Sequence, residues 1–404
     1  MKIGFFLQSY SSGGVDTFLV NLINHFKINS KIIVFYNHNH PNIKNIKKKL
    51  IKKVKFVKYR VVSLENINFF KNFNSFNSAI KICLIILFPL IFFYQHKKLS
   101  NLISRDKLDR FMVINGGYPG GDLCRIASIA WSKINSKIKS WHNFHNIAVE
   151  KDRFFLTNFY RNKIDLKLKN SINGFIAVSR SCSKSLQKRK YLKNAKILTI
   201  YNGFKKTKFK KKNIRKELNL STRAKLLLLL GEYDLRKGHE LIAKVMSELT
   251  KVDKNIYLLI CGYGSKSQIN TVKKIVKNSN LEKNIFLKDF RADNLNLISQ
   301  CNILVIPSLR FESFGYTAVE AMSLRKPVIA SNIGGLREVI ENNKTGYLIN
   351  PKKHKLFVNK ILYLLKNPKA SKLMANSGFK KYKNYFSSEK MSNEYLNVIT
   401  NKQL

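Results

Sequence analysis

The chain has 404 residues, of which 45% are hydrophobic, and it carries 75 Lys and Arg against 23 Asp and Glu. This length exceeds what one ordinary core organises and predicts two domains of about 200 residues each. The hydrophobic content excludes a disordered chain, because each half can bury a core of its own. The formal net charge of +52 predicts attraction to polyanions such as nucleic acid, anionic lipid or phosphorylated substrates. A chain-wide enrichment in Lys, Asn and Ile produces the same charge, so charge alone does not identify the partner.

The cysteines are scattered, with no C-x-x-C pair and no histidine at metal-ligand spacing. They are Cys83, Cys124, Cys182, Cys261 and Cys301. This usage predicts reduced thiols in a cytoplasmic protein and neither a disulfide framework nor a zinc site. The apolar run at the N-terminus leads directly into a glycine-rich turn without a small-residue cleavage site. It therefore predicts a first β-strand and no signal peptide.

The first half of the chain alternates short apolar runs with helical patterns. A strand is predicted over Lys2–Gln8, followed by Gly13-Gly14 and by apolar residues at helical spacing from Val15 to Ile23. Further strands are predicted over Lys31–Tyr36, Val54–Tyr59, Arg110–Ile114, Ile138–His142, Gly174–Val178 and Lys196–Ile200. This alternation predicts a parallel sheet with helices on both faces.

Residues 43–98 combine an apolar run with many lysines. Ile82–Tyr94 contains 13 residues without a charge, fewer than the roughly 20 that a spanning helix needs, and includes Pro89. Eight lysines lie within Ile43–Lys58, interspersed with apolar residues. Two interpretations remain open: a core helix beside a solvated basic face, or a surface that contacts an anionic membrane peripherally.

The second half repeats the alternation. Strands are predicted over Lys225–Leu230, Ile256–Cys261, Asn284–Leu287, Asn302–Ile306, Pro327–Ala330 and Gly346–Ile349, and helices over Glu240–Leu249 and Thr317–Leu324. A turn at Tyr201-Asn202-Gly203 followed by a lysine-rich stretch predicts the domain boundary. The predicted organisation is an N-terminal domain over 1–203, a C-terminal domain over 204–385, and a C-terminal helix over 386–404 that packs back on the first domain.

The most informative stretch is Ile306–Met322, in which an apolar strand leads through a turn at Gly315 into a helical pattern. Amides exposed at a helix N-terminus form a site for anions. Seven residues separate Glu312 from Glu320, which places one carboxylate before the turn and the other about one turn into the helix. A carboxylate near a helix start also stabilises the helix by itself. A binding site is therefore predicted only because the spacing, the turn and the later Gly334-Gly335 occur together.

This pattern resembles the retaining glycosyltransferases of family 4. The resemblance rests on Phe311–Met322, Pro327–Ala330, Ile333–Glu338, Thr345–Leu348, Gly231–Gly238, Gly262–Gly264 and Tyr201–Gly203, and more weakly on Gly13-Gly14 and Val178-Ser179. It covers nearly the whole chain and is most specific from about residue 225 to 350. It implies an α/β protein of the GT-B fold, with two doubly wound Rossmann-like domains facing a cleft.

The resemblance also implies how the donor is bound. Glu320 is expected to bind the ribose of the nucleotide, and Glu312 to lie beside the donor sugar. The amides of Phe314, Gly315 and Tyr316 are expected to contact sugar hydroxyls or phosphate. Lys237 matches the family's basic residue on the diphosphate, where a cation neutralises the charge of the leaving group.

In the N-terminal half the resemblance assigns two further features. Gly13 and Gly14 are expected to bring backbone amides close to the phosphates. His142, predicted at the end of a strand, matches a family histidine near the acceptor and the donor sugar, and His145 is its rival for that role.

Two positions depart from the family pattern. The family usually has Arg directly after the glycine at 231, where this chain has Glu232, so Arg236 becomes the candidate for a second cation on the diphosphate. The family also favours Gly where this chain has Arg325. No Asp-x-Asp motif occurs, so no metal and no cofactor is expected, and Lys237 with helix amides replaces the metal.

The expected function is transfer of a sugar from a nucleotide-sugar to a glycan or lipid-linked saccharide of lipopolysaccharide, O-antigen or capsule type. The expected location is the cytoplasm, with possible peripheral contact at the inner face of the cytoplasmic membrane. The alternatives are an epimerase or phosphorylase of the same fold and, more remotely, a nucleic-acid-binding protein, although no recognised nucleic-acid motif occurs. An NAD-linked enzyme is disfavoured because Gly262-Tyr263-Gly264 lacks the third glycine. The donor's base and sugar remain open.

Overall fold

The computed structural model describes residues 1–10, 13–27, 30–63, 87–150 and 155–400. The chain divides into two compact units. The first comprises Met1–Gly203 with Ser388–Leu404, and the second comprises Phe204–Ser387.

The N-terminal unit is built on a parallel sheet. Its strands are β1 (Lys2–Gln8), β2 (Lys31–Asn37), β3 (Val54–Tyr59), β4 (Arg110–Asn115), β5 (Ser140–Phe144), β6 (Ile172–Ala177) and β7 (Ile197–Thr199). Its helices are α1 (Gly14–His25), α2 (Ile43–Lys49), α3 (Phe88–Ser104), α4 (Asp122–Ile134), α5 (Phe155–Ser171) and α6 (Arg180–Gln187). The strand order is β3-β2-β1-β4-β5-β6-β7. The order reverses direction between β1 and β4, which is the doubly wound topology of a Rossmann-like domain.

Helices cover both faces of this sheet, and β1 shows why the sequence requires it. Phe5 and Phe6 point to opposite faces, as successive strand residues do, and neither has any solvent exposure. Phe5 packs in a cluster with Phe18 of α1, whereas Phe6 packs in a separate cluster with Trp131 of α4. A strand that is apolar on both sides must lie inside the domain.

The last helix of the chain belongs to this first unit. It spans Ser388–Thr400 and is α15 in chain order. Tyr395 is wholly buried in the cluster that contains Phe5 and Phe18, and its hydroxyl accepts a hydrogen bond of 2.7 Å from Asn143 of β5. The chain thus returns from the second unit to complete the core of the first.

The C-terminal unit is a second sheet of the same kind. Its strands are β8 (Lys225–Leu230), β9 (Ile256–Gly262), β10 (Ile285–Asp289), β11 (Ile303–Ile306), β12 (Val328–Ser331) and β13 (Tyr347–Ile349). Its helices are α7 (Ile214–Glu217), α8 (His239–Val252), α9 (Lys266–Asn278), α10 (Asn294–Gln300), α11 (Tyr316–Ser323), α12 (Leu336–Val339), α13 (His354–Lys366) and α14 (Pro368–Tyr385). The strand order β10-β9-β8-β11-β12-β13 reverses between β8 and β11. The prediction of two parallel-sheet α/β domains is confirmed.

The apolar run predicted over Ile82–Tyr94 lies partly outside the described residues, since the description resumes at residue 87. Pro89 occupies the first turn of α3, where proline is tolerated because the amide has no helical partner there. Leu90 and Phe93 of this helix are largely exposed, whereas Leu99 and Ile103 are buried. Among the described residues, no helix has both the length and the apolar character that a bilayer crossing demands.

Candidate functional site

The reversal of strand order in the C-terminal unit predicts where a ligand would bind. In doubly wound sheets, ligands bind outside the carboxyl ends of the strands at the point where the order reverses. Here that point lies between β8 and β11. Lys237 follows β8 and Glu312 follows β11, so the topology brings together two residues that are 75 positions apart.

A short 3-10 turn, Leu235–Lys237, holds Lys237 at this edge. The side chain of Asp234 caps the turn by accepting a hydrogen bond of 2.8 Å from the amide of Arg236. Gly238 ends the turn at φ 81°, in the left-handed region. A Cβ there would lie 1.9 Å from the carbonyl oxygen of Pro307, so only glycine allows the turn to approach the segment after β11.

Lys237 and Glu312 form an ion pair between Nζ and Oε1. The hydroxyl of Ser308 donates a second hydrogen bond of 2.9 Å to the same carboxylate oxygen. The two charged side chains are 19% and 14% exposed, so they are shielded from bulk water yet reachable by a ligand. Ser308 was not singled out in the sequence, although its position directly after a buried strand and Pro307 was a signal for it.

The pair Gly334-Gly335 supports the backbone of Glu312. Gly335 donates its amide to the Glu312 carbonyl at 2.7 Å. A Cβ on Gly334, whose φ is 49°, would lie 2.2 Å from that carbonyl oxygen. The two glycines are therefore a packing requirement of this loop, and their task is to fix the position of Glu312.

Glu320 lies on α11, about one helical turn from its start. Gly315 directly precedes the helix, with φ 105°. Its side chain is buried, at 8% exposure. Oε2 accepts a hydrogen bond of 3.0 Å from the side-chain amide of Asn294, the first residue of α10. The E-x7-E spacing thus places Glu312 before the helix and Glu320 within it, and Asn294 is a further site residue that the sequence did not indicate.

Of the residues expected to offer amides, Phe314 is buried, and its ring packs edge-to-face on Tyr316 and on Phe386. Gly315 and Tyr316 stand at the start of α11. The structure therefore collects the predicted donor residues of the C-terminal unit around one edge of its sheet.

Arg236 is already engaged. Its guanidinium forms ion pairs with Glu232 at 3.0 Å and with Asp234 at 3.3 Å, and it lies over the ring of Phe311. Two carboxylates therefore compensate its charge. The residue that departs from the family pattern, Glu232, is one of them.

The predicted residues of the N-terminal unit follow β1. Gly13 precedes α1 in an extended conformation, and Gly14 is the first residue of that helix; both are exposed. The carboxylate of Asp16 accepts a hydrogen bond of 3.4 Å from the amide of Gly13 and one of 2.7 Å from Asn42. A Cβ on Gly13 would meet no atom of the described residues within 4 Å, so none of these residues requires glycine there.

The position predicted for His142 is wrong. The strand runs over Ser140–Phe144, two residues later than predicted, so His142 lies in its middle and not at its end. Its side chain has no solvent exposure, and Nδ1 lies 3.1 Å from the hydroxyl of Ser128. Burial and the nearby Arg125 lower the pKa of His142 to about 3. The side chain of His142 is thus enclosed within the unit, and its Nε2 has no hydrogen-bond partner among the described residues.

His145 follows directly after β5, at the carboxyl edge of the sheet. Its ring packs on Phe18 with centroids 4.3 Å apart, and its backbone amide donates to the carbonyl of Asn115 at 3.1 Å. Burial lowers the pKa of His145 to about 3, so the imidazole is neutral at neutral pH. Its buried Nε2 has no hydrogen-bond partner among the described residues. Of the two rival histidines, His145 is the one that lies at the carboxyl edge of the sheet.

Within the ranges that the structure describes, no group of three or more His, Cys, Asp or Glu side chains is arranged to hold a metal ion.

Residues 210–381 match the family model described as Glycosyl transferases group 1. The chain is 30% identical over 255 residues to the O-antigen biosynthesis glycosyltransferase WclY of Escherichia coli, a match that covers 61% of this chain and 68% of that protein. It is 28% identical over 193 residues to an uncharacterized glycosyltransferase of Methanocaldococcus jannaschii, covering 44% of this chain and 47% of the relative. It therefore spans slightly less than half the length of this second relative.

Two solved structures show the same fold. A glycosyltransferase from Rickettsia africae superposes with a TM-score of 0.76 at 21% identity, over 99% of this chain and 98% of that one. HepE of Anabaena, in complex with UDP and glucose, superposes with a TM-score of 0.75 at 17% identity, over 99% of both chains. Because the match to WclY extends over two thirds of that protein and the family model spans the unit that carries Lys237, Glu312 and Glu320, this chain belongs to the group 1 glycosyltransferases.

Proposed function

We propose that the protein is a retaining glycosyltransferase of family 4, which moves a sugar from a nucleotide-sugar to a glycan or lipid-linked saccharide. The observation that carries this proposal is the pairing of Lys237 with Glu312 at the reversal point of the C-terminal sheet. A cation and a carboxylate held side by side can stabilise the two opposite charges that develop in this reaction. The leaving nucleoside diphosphate gains negative charge, and the sugar ring becomes oxocarbenium-like.

In the reaction, the bond between the anomeric carbon and the diphosphate breaks, and a bond from that carbon to the oxygen of an acceptor hydroxyl forms. The proton of that hydroxyl passes to the departing diphosphate. Lys237 stabilises the departing diphosphate by a charge-assisted hydrogen bond. Lys237 pairs with Glu312 before the donor binds. Once Lys237 contacts the diphosphate, Glu312 is free to interact with the sugar. Ser308 keeps the carboxylate in position when Lys237 turns to the phosphate.

Glu320 holds the ribose. Its carboxylate is buried and fixed by Asn294, so it presents an oriented acceptor to two neighbouring hydroxyls at low entropic cost. Arg236 contributes less than the sequence suggests, because Glu232 and Asp234 already compensate its charge. We therefore assign the main cationic contact on the diphosphate to Lys237 alone.

We assign the acceptor side to the N-terminal unit. We take His145 in place of His142 as its histidine, since His145 lies at the carboxyl edge of the sheet whereas His142 is enclosed in the middle of β5. Being neutral, His145 can donate or accept a hydrogen bond without adding charge. No atom of the described residues would lie within 4 Å of a Cβ on Gly13, which supports the approach of a ligand to this glycine.

An O-antigen, lipopolysaccharide or capsule precursor is the proposed acceptor class. The name of the relative WclY refers to O-antigen biosynthesis, and the basic and apolar surface of the N-terminal unit suits a lipid-linked substrate. The α2 helix and the segment after it carry exposed lysines, and Ile51 beside them is 84% exposed.

A thermal-shift screen with UDP-, GDP-, ADP- and CMP-sugars tests the proposed function. A ligand that binds only the native state raises the melting temperature, and does so more the tighter it binds. We expect one nucleotide family to give a clear shift, and its sugar to be transferred to a saccharide acceptor with retained anomeric configuration by NMR. Interconversion of the donor without transfer would favour the epimerase alternative, and phosphorolysis of a glycan would favour the phosphorylase.

Peripheral membrane contact is a separate prediction. The protein is expected to bind vesicles containing anionic lipid at low salt, and a Lys48→Glu/Lys49→Glu variant to bind them much less, since each basic residue near such a surface contributes about 1 kcal/mol. Lys47 is left intact because its Nζ packs over the rings of Tyr36 and Phe56. Vesicle cosedimentation as a function of ionic strength is the measurement, because salt screens this attraction.

The control for this experiment carries the same change of charge in the other unit. Lys273 and Lys274 of α9 are both exposed, and their replacement by glutamate alters net charge equally. Equal loss of binding in the two variants would show that the whole charge of +52 is responsible, and that α2 has no special part.

A further inference from the structure

A groove of about 580 Å³ lies in the C-terminal unit at the edge of the sheet opposite to the Lys237–Glu312 pair. Lys225 begins β8, Ile303 begins β11, and Pro327 immediately precedes β12; all three line the groove. It therefore opens at the amino ends of these strands. The strands are four to six residues long, so they separate the groove from the donor site by roughly 13–20 Å.

The charged side chains that line this groove are all cationic: Arg223, Lys225, Arg325, Lys326 and Lys372. Lys225 is compensated by Asp253, whose carboxylate is 2.7 Å from Nζ. The other four have no carboxylate partner within the part of the chain that the structure describes. The groove thus carries a concentrated positive charge that no carboxylate of the described residues neutralises by an ion pair, except at Lys225.

The backbone conformation of Arg325 is a second indication that this groove binds a ligand. Arg325 follows α11 at φ 51°, a left-handed conformation that glycine adopts readily and other residues rarely. The backbone amide of Arg325 donates to the carbonyl of Met322, and the amide of Lys326 donates to the carbonyl of Ala321. These two bonds form a Schellman motif, in which the residue at the position of Arg325 is usually glycine. Arg325 therefore occupies a position at which the backbone conformation favours glycine. A residue in a strained conformation at a pocket is a reason to look for a binding role.

The arginine side chain is held in place. Its guanidinium carbon lies 3.7 Å from the centroid of the Phe379 ring, so the ring orders it while its N–H groups stay available. The neighbouring Lys326 donates to the carbonyl of Cys301 at 2.9 Å. Burial lowers the pKa of Lys326; Cys301 raises it in part, and the positive charge of Arg215 lowers it again. A bound anion would offset this positive potential.

Part of the groove is apolar. Leu364 and Leu365 of α13 and Pro368 and Ala375 of α14 form an apolar wall that also carries Lys372, and the uncharged polar side chains of Asn302, Ser371 and Asn376 line the groove as well. The volume lies within the range of small-molecule sites, which is about 300–1,000 Å³. An apolar wall beside several donors suits a small molecule that has an anionic end and an apolar body.

We propose that this groove binds a small organic phosphate. Its phosphate lies against Arg325, Lys326 and Lys372, and its apolar part lies against Leu364 and Leu365. This site is distinct from the donor site, because the two occupy opposite edges of one sheet. Its existence does not depend on the proposed glycosyl transfer.

Calorimetric titration with inorganic pyrophosphate at about 0.15 M salt tests the anionic half of the site. The titration uses the full chain carrying Lys237→Ala, so that the donor site binds the probe more weakly and contributes less to the signal. Adding Arg325→Gly is expected to weaken pyrophosphate binding about ten-fold or more, because a charge-assisted contact is lost. Adding Lys274→Ala, which removes one exposed charge on α9, is expected to change it less than about two-fold.

Arg325→Gly places the preferred residue at a left-handed position, so its melting temperature is expected to stay close to that of the parent. Lys372→Ala, at an exposed position on α14, gives a second test and is expected to weaken pyrophosphate several-fold. Equal effects of Arg325→Gly and Lys274→Ala, or no effect of Arg325→Gly and Lys372→Ala, would overturn the proposal.

Discussion

Replacing Lys237 with alanine is expected to lower turnover by about 10²-fold or more and to weaken binding of the nucleoside diphosphate by about 1.5–3 kcal/mol. Lys237 is the one cation that the structure places beside Glu312 at the reversal point of the C-terminal sheet, among the residues it describes. The loss should be greater in turnover than in ground-state binding, because negative charge on the leaving group grows in the transition state. Calorimetry with the nucleotide and turnover at saturating donor separate the two effects.

Arg236→Ala is the matched control for this experiment. Arg236 precedes Lys237 in the same turn, but its charge is compensated by Glu232 and Asp234. Its loss is expected to affect turnover several-fold at most. If Arg236→Ala proves as damaging as Lys237→Ala, the ion pairs of Arg236 must open on donor binding, and our assignment of the diphosphate to Lys237 alone fails.

Assigning charge neutralisation to Lys237 and to backbone amides also predicts that turnover survives EDTA. The measurement compares initial rates after chelation with rates after readdition of Mg²⁺ or Mn²⁺. A strict requirement for the added ion would mean that a metal, and not Lys237, carries the larger part of the charge on the diphosphate.

The sequence predicts the two sheets well, because buried parallel strands are short, apolar and separated by turn residues. The runs at Lys2–Gln8, Val54–Tyr59 and Lys225–Leu230 have the same limits in the structure as in the prediction. The run at β5 does not. Its residues, Ser-Trp-His-Asn-Phe, mix polar and aromatic side chains, all of which are buried, so hydropathy gave no clear end. That shift of two residues moved His142 from the edge of the sheet to its interior.

The sequence alone did not predict side-chain contacts between residues that are far apart in the chain. The E-x7-E spacing indicates where Glu312 and Glu320 lie on one segment, but not that Ser308 and Lys237 meet Glu312 or that Asn294 meets Glu320. These contacts follow from the strand order, which local patterns do not specify. The engagement of Arg236 could have been anticipated, since Glu232 stands four residues before it in the same loop.

The last prediction separates the two glutamates. Glu320→Gln is expected to weaken donor and free nucleotide alike by about 1.5–3 kcal/mol, because we assign its carboxylate to the ribose, a group that does not change in the reaction. Glu312→Gln is expected to lower kcat by about 10²-fold while leaving nucleotide affinity within about two-fold, because we assign its carboxylate to the place where positive charge develops on the sugar. Nucleotide Kd by calorimetry and kcat at saturating donor are the two measurements.

Both substitutions also disturb the free protein, and this must be distinguished from a role in the reaction. Glu312→Gln removes the ion pair with Lys237, and Glu320→Gln replaces a buried carboxylate that accepts from Asn294, so each should lower the melting temperature modestly. Glu341→Gln is the matched control, since it breaks the exposed pair with Lys344, and exposed pairs contribute about 0–1 kcal/mol. If the two carboxylates only stabilise the segment around α11, melting temperatures will fall while kcat and nucleotide affinity stay at the level of the control. Normal nucleotide binding by Glu320→Gln would place the ribose elsewhere, and the donor site would no longer be defined by α11.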